Sequence, residues 1–170
     1  MGTSNGVNQQ KPTLEQFLAK IASLKEKSGV DLSTAEDLSI AVMNLISLEE
    51  HFFFTGAKTK RDEYFDSSLE IRELRKELLA KLMPNHEGET WCISKHLLST
   101  TMRLIEVGNK LHSEKKKDEA KEMFEKAYKV YSIFWALKLK LISGTQIKNT
   151  AAVVSTLEDL VSKLADCCDE

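Results

Sequence analysis

Several reactive side chains recur at helical spacing between residues 92 and 110. They are Cys92, His96, Ser99, Arg103, Glu106 and Lys110, each three or four residues from the next, so they share one face of a helix. Cys92 and His96, four residues apart, can bind one divalent metal ion from a single helical turn. Arg103 and Glu106 are close enough along the helix to form an ion pair.

A second, narrower polar row precedes this one in the chain. It consists of Asp37, Asn44, Ser47 and His51. If the two helices run parallel in an up-and-down bundle, the rows face each other, with Asp37, Cys92 and His96 at one end and His51, Arg103 and Glu106 at the other. Two interpretations remain open. The rows enclose a buried polar site for a metal ion or for catalysis, or they are the strips that two helices expose to water.

Composition narrows the classes of protein. The chain has 170 residues, which fits one domain, and only 7 Gly and 2 Pro, which favours long helices over strands and turns. The formal net charge of -2 predicts no general attraction to nucleic acid or to anionic membranes. Three cysteines, two of them adjacent at the end of the sequence, do not form a disulfide framework and indicate a reducing, cytoplasmic setting.

The periodicity of apolar residues predicts an all-α fold, a single bundle of five or six mostly antiparallel helices. The expected helices span about 13–29, 33–55, 60–83, 89–113, 118–142 and 150–165. Gly56 is expected to end the second helix. The third has one apolar stripe, formed by Tyr64, Ile71, Leu74, Leu78 and Leu82. Residues 1–12 are interpreted as a flexible tail, 13–166 as the domain and 167–170 as a frayed end.

One helical pair carries a recognisable motif, Leu104-x2-Val107-Gly108-x2-Leu111 followed by Ala120-x3-Phe124. It resembles a single tetratricopeptide-repeat hairpin over about residues 101–134. Small residues at Gly108 and Ala120 are expected to let the two helices approach closely, with larger side chains filling the seam. The resemblance implies protein binding, whereas an ordinary antiparallel pair within a bundle is the alternative.

The same pair supplies the candidate partner-binding residues. They are Leu104, Gly108, Leu111, Phe124, Tyr128, Tyr131 and Trp135. Core packing is the alternative for the aromatic ones. It is also the first expectation for Phe52, Phe53 and Phe54, since consecutive helical residues point about 100° apart and cannot form one patch. The alternative is that one of these three phenylalanines is exposed near the helix end, where it could anchor a partner. The sequence therefore predicts a non-enzymatic interaction module without a cofactor, whose partner is another protein or a second copy of the chain. The alternative is a metal-binding or enzymatic bundle that uses the polar rows and a divalent metal ion.

Overall fold

Four α-helices make up nearly all of residues 32–84 and 88–142, which are the residues described in a computed structural model of the chain. They are α1 (Leu32–Thr59), α2 (Glu63–Leu82), α3 (Thr90–Ser113) and α4 (Lys117–Lys138). No strand occurs in this part of the chain. The all-α class is thus confirmed, and these helices match the second to fifth predicted ones. The predicted helices at 13–29 and 150–165, the tail 1–12 and the frayed end 167–170 lie outside the described residues.

Lysine residues, rather than glycine, follow three of the helices. Lys60, Lys115 and Lys140 have positive φ angles of 56°, 63° and 55°. After α3, the amide of Lys115 donates to the carbonyl of His112 and that of Lys116 to Leu111, which is the Schellman arrangement. The predicted stop at Gly56 is therefore wrong: α1 continues to Thr59 and turns at Lys60.

Helices α1 and α2 form an antiparallel hairpin. Near its turn the Phe65 ring lies on Gly56, where an added Cβ would be 3.0 Å from the ring. Further along, the Glu49 carboxylate accepts a hydrogen bond from Nε of the buried Arg75 at 2.7 Å and also pairs with Arg72. Helices α1 and α2 run antiparallel because the connection between them is short. In keeping with this, residues further before the turn contact residues further after it.

The buried face of α2 differs from the predicted apolar stripe. Its buried residues are Arg75, Leu79 and Leu82. Leu74, which the stripe includes, is 44% exposed. The ion pair of Arg75 with Glu49 offsets the cost of burying the guanidinium group, so the charged Arg75 is buried while the neighbouring Leu74, which periodicity assigns to the stripe, is exposed.

Helices α3 and α4 form a second antiparallel hairpin. The Phe124 ring packs so closely over the buried Gly108 that an added Cβ would overlap the ring atoms. Ala120 and Ala127 on α4 are both buried, as the close approach of two helix backbones requires. The expected packing of large on small residues is present. The assignment to the repeat family stays a prediction, because any close helical pair can pack in this way.

All four helices contribute to one core. Its buried residues are Ala35, Val42, Met43, Leu79, Leu82, Met83, Leu98, Phe134 and Trp135. They come from the first halves of α1 and α3 and from the last halves of α2 and α4, so α1 and α3 run parallel. Phe134 and Trp135 are the largest fully buried side chains, with ring centroids 5.8 Å apart. We call this part of the bundle the packed end.

Two polar contacts tie α4 to the other helices at the packed end. The Ser39 hydroxyl donates its single proton to the carbonyl of Glu36. The Tyr131 hydroxyl is therefore the donor in the 2.6 Å hydrogen bond between Tyr131 and Ser39. Burial raises the pKa of Tyr131. Lys138 donates from Nζ to the carbonyl of Leu82 at 2.7 Å, at the end of α2, and its burial lowers the pKa of its ammonium group.

Candidate partner-binding surface

The polar residues singled out from the sequence all lie at the surface. Asp37, Asn44, His51, Cys92, His96, Arg103, Glu106 and Lys110 are exposed, and Ser47 and Ser99 are partly buried. The hypothesis that they enclose a buried polar cavity is therefore wrong. The core is filled instead by apolar side chains such as Phe134 and Trp135, which leave the polar rows of α1 and α3 facing solvent.

Among the described residues, the candidate metal pair Cys92 and His96 has no further ligand. Within residues 32–84 and 88–142, no group of three or more His, Cys, Asp or Glu side chains is arranged to hold a metal ion. Cys92 is a free, exposed thiol. The described residues thus provide no ligand set around Cys92 and His96 that would complete the tetrahedral coordination typical of zinc.

Arg103 and His51 do come together, in a cleft between α1 and α3. The cleft has a volume of about 440 Å³ and is lined by Ser47, Glu50, His51, Phe54, Thr55, Lys58, Thr59 and Arg103. Arg103 Nη2 lies 3.0 Å from the Glu50 carboxylate and donates to the Ser47 hydroxyl at 3.1 Å. These contacts fix one end of the cleft, and Lys58, one turn beyond Phe54 on α1, stands at the other.

A cluster of exposed apolar side chains lies near the turn between α1 and α2. The Phe53 centroid is 5.3 Å from that of Phe54 and 6.4 Å from that of Phe65. Phe53 is 54% exposed and Phe54 60%. Leu69, one helical turn beyond Phe65, is also 60% exposed. We call these four residues the phenylalanine cluster. The expectation that Phe53 and Phe54 pack in the core is wrong, and two phenylalanines are exposed near the helix end where the alternative allowed one.

The partner-binding residues predicted on α3 and α4 pack within the chain. Gly108 is buried beneath Phe124, and Trp135 is 1% exposed. Tyr128 and Tyr131 are partly buried against the core. Leu104 and Leu111 are also partly buried. Gly108 and Trp135 therefore cannot contact a partner in the folded chain, because the α3–α4 seam and the core already cover them.

Sequence reasoning left open one exposed phenylalanine at the end of this helix but overlooked Phe65 and Leu69, although a signal for them exists. Phe65 and Leu69 are four residues apart on α2 but lie outside the stripe assigned to the third predicted helix. A second apolar row on a helix that already has one indicates either a second neighbour or an exposed surface. Together with Phe53 and Phe54 directly across the turn, this row points to a surface at the end of the hairpin.

None of the described helices is both long and apolar enough to span a bilayer. Comparison with known proteins adds no relative. Neither the protein-family models, nor the curated proteins, nor the solved structures contain a match to this chain.

Proposed function

We propose that this chain is a non-enzymatic protein-interaction module that binds its partner through the phenylalanine cluster. The observation that carries the proposal is the exposure of Phe53, Phe54 and Leu69, each more than half accessible, on the two helices that flank one turn. The Phe53 ring lies 6.4 Å from that of Phe65. Contiguous exposed apolar side chains mark interaction sites on proteins that otherwise bury such groups. The same chain buries Phe134 and Trp135 completely, so it does not lack a core in which to place aromatic residues.

The energetics of the cluster favour a protein partner. A phenylalanine buries roughly 150–250 Å² when it is covered, and aromatic anchors contribute much of the binding energy at interfaces. Gly56 holds the Phe65 ring against the α1 backbone, and Phe53 contacts that ring from one side.

The enzymatic alternative has less support. Its candidate groups are exposed, and the described residues offer no enclosed site in which a nucleophile and a base are desolvated together. The exposed free thiol of Cys92 persists in a reducing compartment, which supports a cytoplasmic setting for the proposed interaction.

The test compares the proteins that the full chain retains from cells with those that two variants retain. Phe53→Ser/Leu69→Ser removes the centre of the cluster. Leu74→Ser is the matched control, because Leu74 is also exposed but lies about 140° around α2 from Leu69. We expect a specific set of proteins to be lost with the double variant and kept with the control, and a purified member of that set to bind the wild type directly.

A second measurement asks whether the partner is another copy of the chain. Sedimentation velocity of the purified wild type and of the double variant detects a dimer that depends on Phe53 and Leu69. If neither a partner protein nor a dimer depends on the cluster, while the double variant keeps its helical circular dichroism spectrum, the proposed function is wrong.

A further inference from the structure

Three residues at equal spacing form one line along the solvent side of α2. Leu69 of the phenylalanine cluster is at the centre, with Asp62 seven residues before it and Lys76 seven residues after it. Asp62, the residue before α2, already has helical backbone angles, φ -68° and ψ -27°. Seven residues are nearly two turns, so Asp62 and Lys76 each point within about 20° of Leu69. All three are exposed, and the line therefore begins with a negative charge, is apolar at its centre and ends with a positive charge.

This line is complementary to itself when a second copy is turned end to end. With Leu69 against Leu69 in an antiparallel pair of α2 helices, Asp62 of each copy lies level with Lys76 of the other. Phe65 and Arg72 lie to the same side of the line, about 40° and 60° from it, so the guanidinium group of one copy can pack on the ring of the other. A parallel pair would instead place Asp62 against Asp62 and Lys76 against Lys76.

We propose that the phenylalanine cluster binds a second copy of the chain through antiparallel α2 helices, an inference that rests on the interaction function proposed above and names the partner. A two-fold interface uses the same patch on both subunits, and this patch is complementary to itself in charge. A uniformly acidic partner, such as nucleic acid, is repelled by Asp62, and a uniformly basic one by Lys76. An unrelated helix would have to bring both opposite charges at a spacing that a second α2 already has.

The charged residues of the line are available for such a contact. Among the residues that the structure describes, Asp62 forms no ion pair. Lys76 pairs with Glu73 at 2.8 Å, but the two side chains are 50% and 69% exposed, so that pair contributes little. Lys76 has three protons to donate and can bind Asp62 of the second copy as well. The like-charged neighbours of the arrangement, Asp66 and Glu73 of the second copy, lie at its edge, where Lys76 already neutralises Glu73.

The experiment exchanges the two charges and measures the oligomeric state of the full chain by sedimentation velocity over a range of concentrations. The variants are Asp62→Lys, Lys76→Asp and the double variant Asp62→Lys/Lys76→Asp, each alone, and an equimolar mixture of the two single variants. Asp118→Lys is the control for a charge reversal at the start of a helix, and Lys126→Asp is the control for losing an exposed lysine that pairs with a glutamate of its own helix. Reducing conditions keep the exposed thiol of Cys92 from forming disulfide-linked dimers.

We expect the wild type and both controls to form a dimer that dissociates on dilution, because a contact one helix wide is smaller than a standard interface of about 1,600 Å². Each single variant should dimerise at least about tenfold more weakly, since its reversed charge meets a like charge twice in every dimer. The double variant and the mixture should regain the dimer, because opposite charges then meet again at both ends of α2. Asp62 and Lys76 are about 21 Å apart along α2, so this recovery cannot arise within one chain.

A wild type that is monomeric at every concentration would overturn the inference. So would single variants that dimerise as strongly as the wild type, or a double variant and a mixture that both stay monomeric. If no dimer forms but Phe53→Ser/Leu69→Ser still loses proteins that the wild type retains from cells, the partner is a different protein, and the proposed function survives the failure of this inference.

Discussion

The hairpins α1–α2 and α3–α4 are built alike near their turns but place their other aromatic residues differently. In each, a phenylalanine ring lies on a glycine of the preceding helix, Phe65 on Gly56 and Phe124 on Gly108. In the second hairpin the remaining large aromatics of α4 turn into the packed end. In the first, Phe53 and Phe54 face solvent.

The difference shows that burial depends on the neighbours of a helix more than on its own sequence. The last half of α4 contributes to the core that all four helices share, and Phe134 and Trp135 fill it. The last half of α1 packs on α2 through Gly56 and reaches α3 through Arg103, and the faces between these contacts stay open. Apolar segments can therefore fill the core in one hairpin and remain exposed to solvent in the other.

The largest expected effect comes from making the same substitution in both hairpins. Phe134→Ala removes a fully buried ring and should lower the free energy of unfolding by about 4 kcal/mol. Phe53→Ala removes a half-exposed ring and should cost less than about 1 kcal/mol. Urea unfolding followed by circular dichroism measures both. Similar losses would show that Phe53 belongs to the core and would remove the contrast between the hairpins.

A smaller loss is expected from the buried ion pair of the first hairpin. Glu49→Ala leaves Arg75, with only 4% of its side chain exposed, without its carboxylate partner, at a cost of roughly 3 kcal/mol. Glu73→Ala is the matched control, since Glu73 pairs with Lys76 in solvent and should cost less than about 1 kcal/mol. Equal stability of the two variants in thermal unfolding would mean that Arg75 finds water or another partner when Glu49 is absent.

The glycines near the two turns sharpen the comparison further. Alanine at a helical glycine normally stabilises by about 1 kcal/mol. At Gly108 the new Cβ overlaps the Phe124 ring within the α3–α4 seam, so we expect a net loss of about 1–2 kcal/mol. At Gly56 the Phe65 ring is partly exposed and can move aside, so Gly56→Ala should be neutral or slightly stabilising. A stabilising Gly108→Ala, measured by urea unfolding, would contradict the tight seam.

The smallest effect concerns the hydroxyl contact at the packed end. Tyr131→Phe removes the bond to Ser39 and should cost about 1 kcal/mol near pH 7. Because burial raises the pKa of Tyr131 above its ordinary value of 10.0, the unfolded chain ionises first as the pH rises. The stability linked to Tyr131 is full below about pH 10 and is lost as the pH rises through the folded-state pKa.

The advantage of the wild type over Tyr131→Phe should therefore shrink above pH 10, as urea unfolding at a series of pH values would show. A double-mutant cycle with Ser39→Ala is the control, because coupled partners should lose less together than the sum of their separate losses. A constant difference between the two proteins up to pH 11 would argue against a buried hydroxyl.

The sequence predicts the described helices well because the spacing of apolar residues reflects their packing directly. It misplaces the end of α1, since Gly56 serves close packing with Phe65 and the turn falls at Lys60. It also assigns Leu74 to the apolar stripe of α2, although Leu74 is exposed and the neighbouring Arg75 is buried. Periodicity cannot reveal this, because the burial of Arg75 depends on its ion pair with Glu49 on the other helix of the hairpin.

The candidate site is harder to predict than the helices. Helical spacing assigns Arg103 to the polar row of α3, but it does not say which residue of α1 lies beside Arg103. His51 is identified as that neighbour only once α1 and α3 are known to run parallel. Whether Trp135 is buried and Phe53 exposed depends on which faces meet another helix, and that is tertiary information. A sequence pattern can identify an apolar face, but it does not tell whether the partner of that face belongs to the same chain.

The most direct test of the proposed interaction surface is photo-crosslinking in cells. Benzoylphenylalanine is incorporated at position 53 in the phenylalanine cluster, or at position 74 as the exposed control. We predict that irradiation links position 53 to a distinct protein of defined mass, or to a second copy of the chain, and that position 74 gives no such product. Absence of a product at position 53, or the same products from both positions, would contradict a partner-binding role for the cluster.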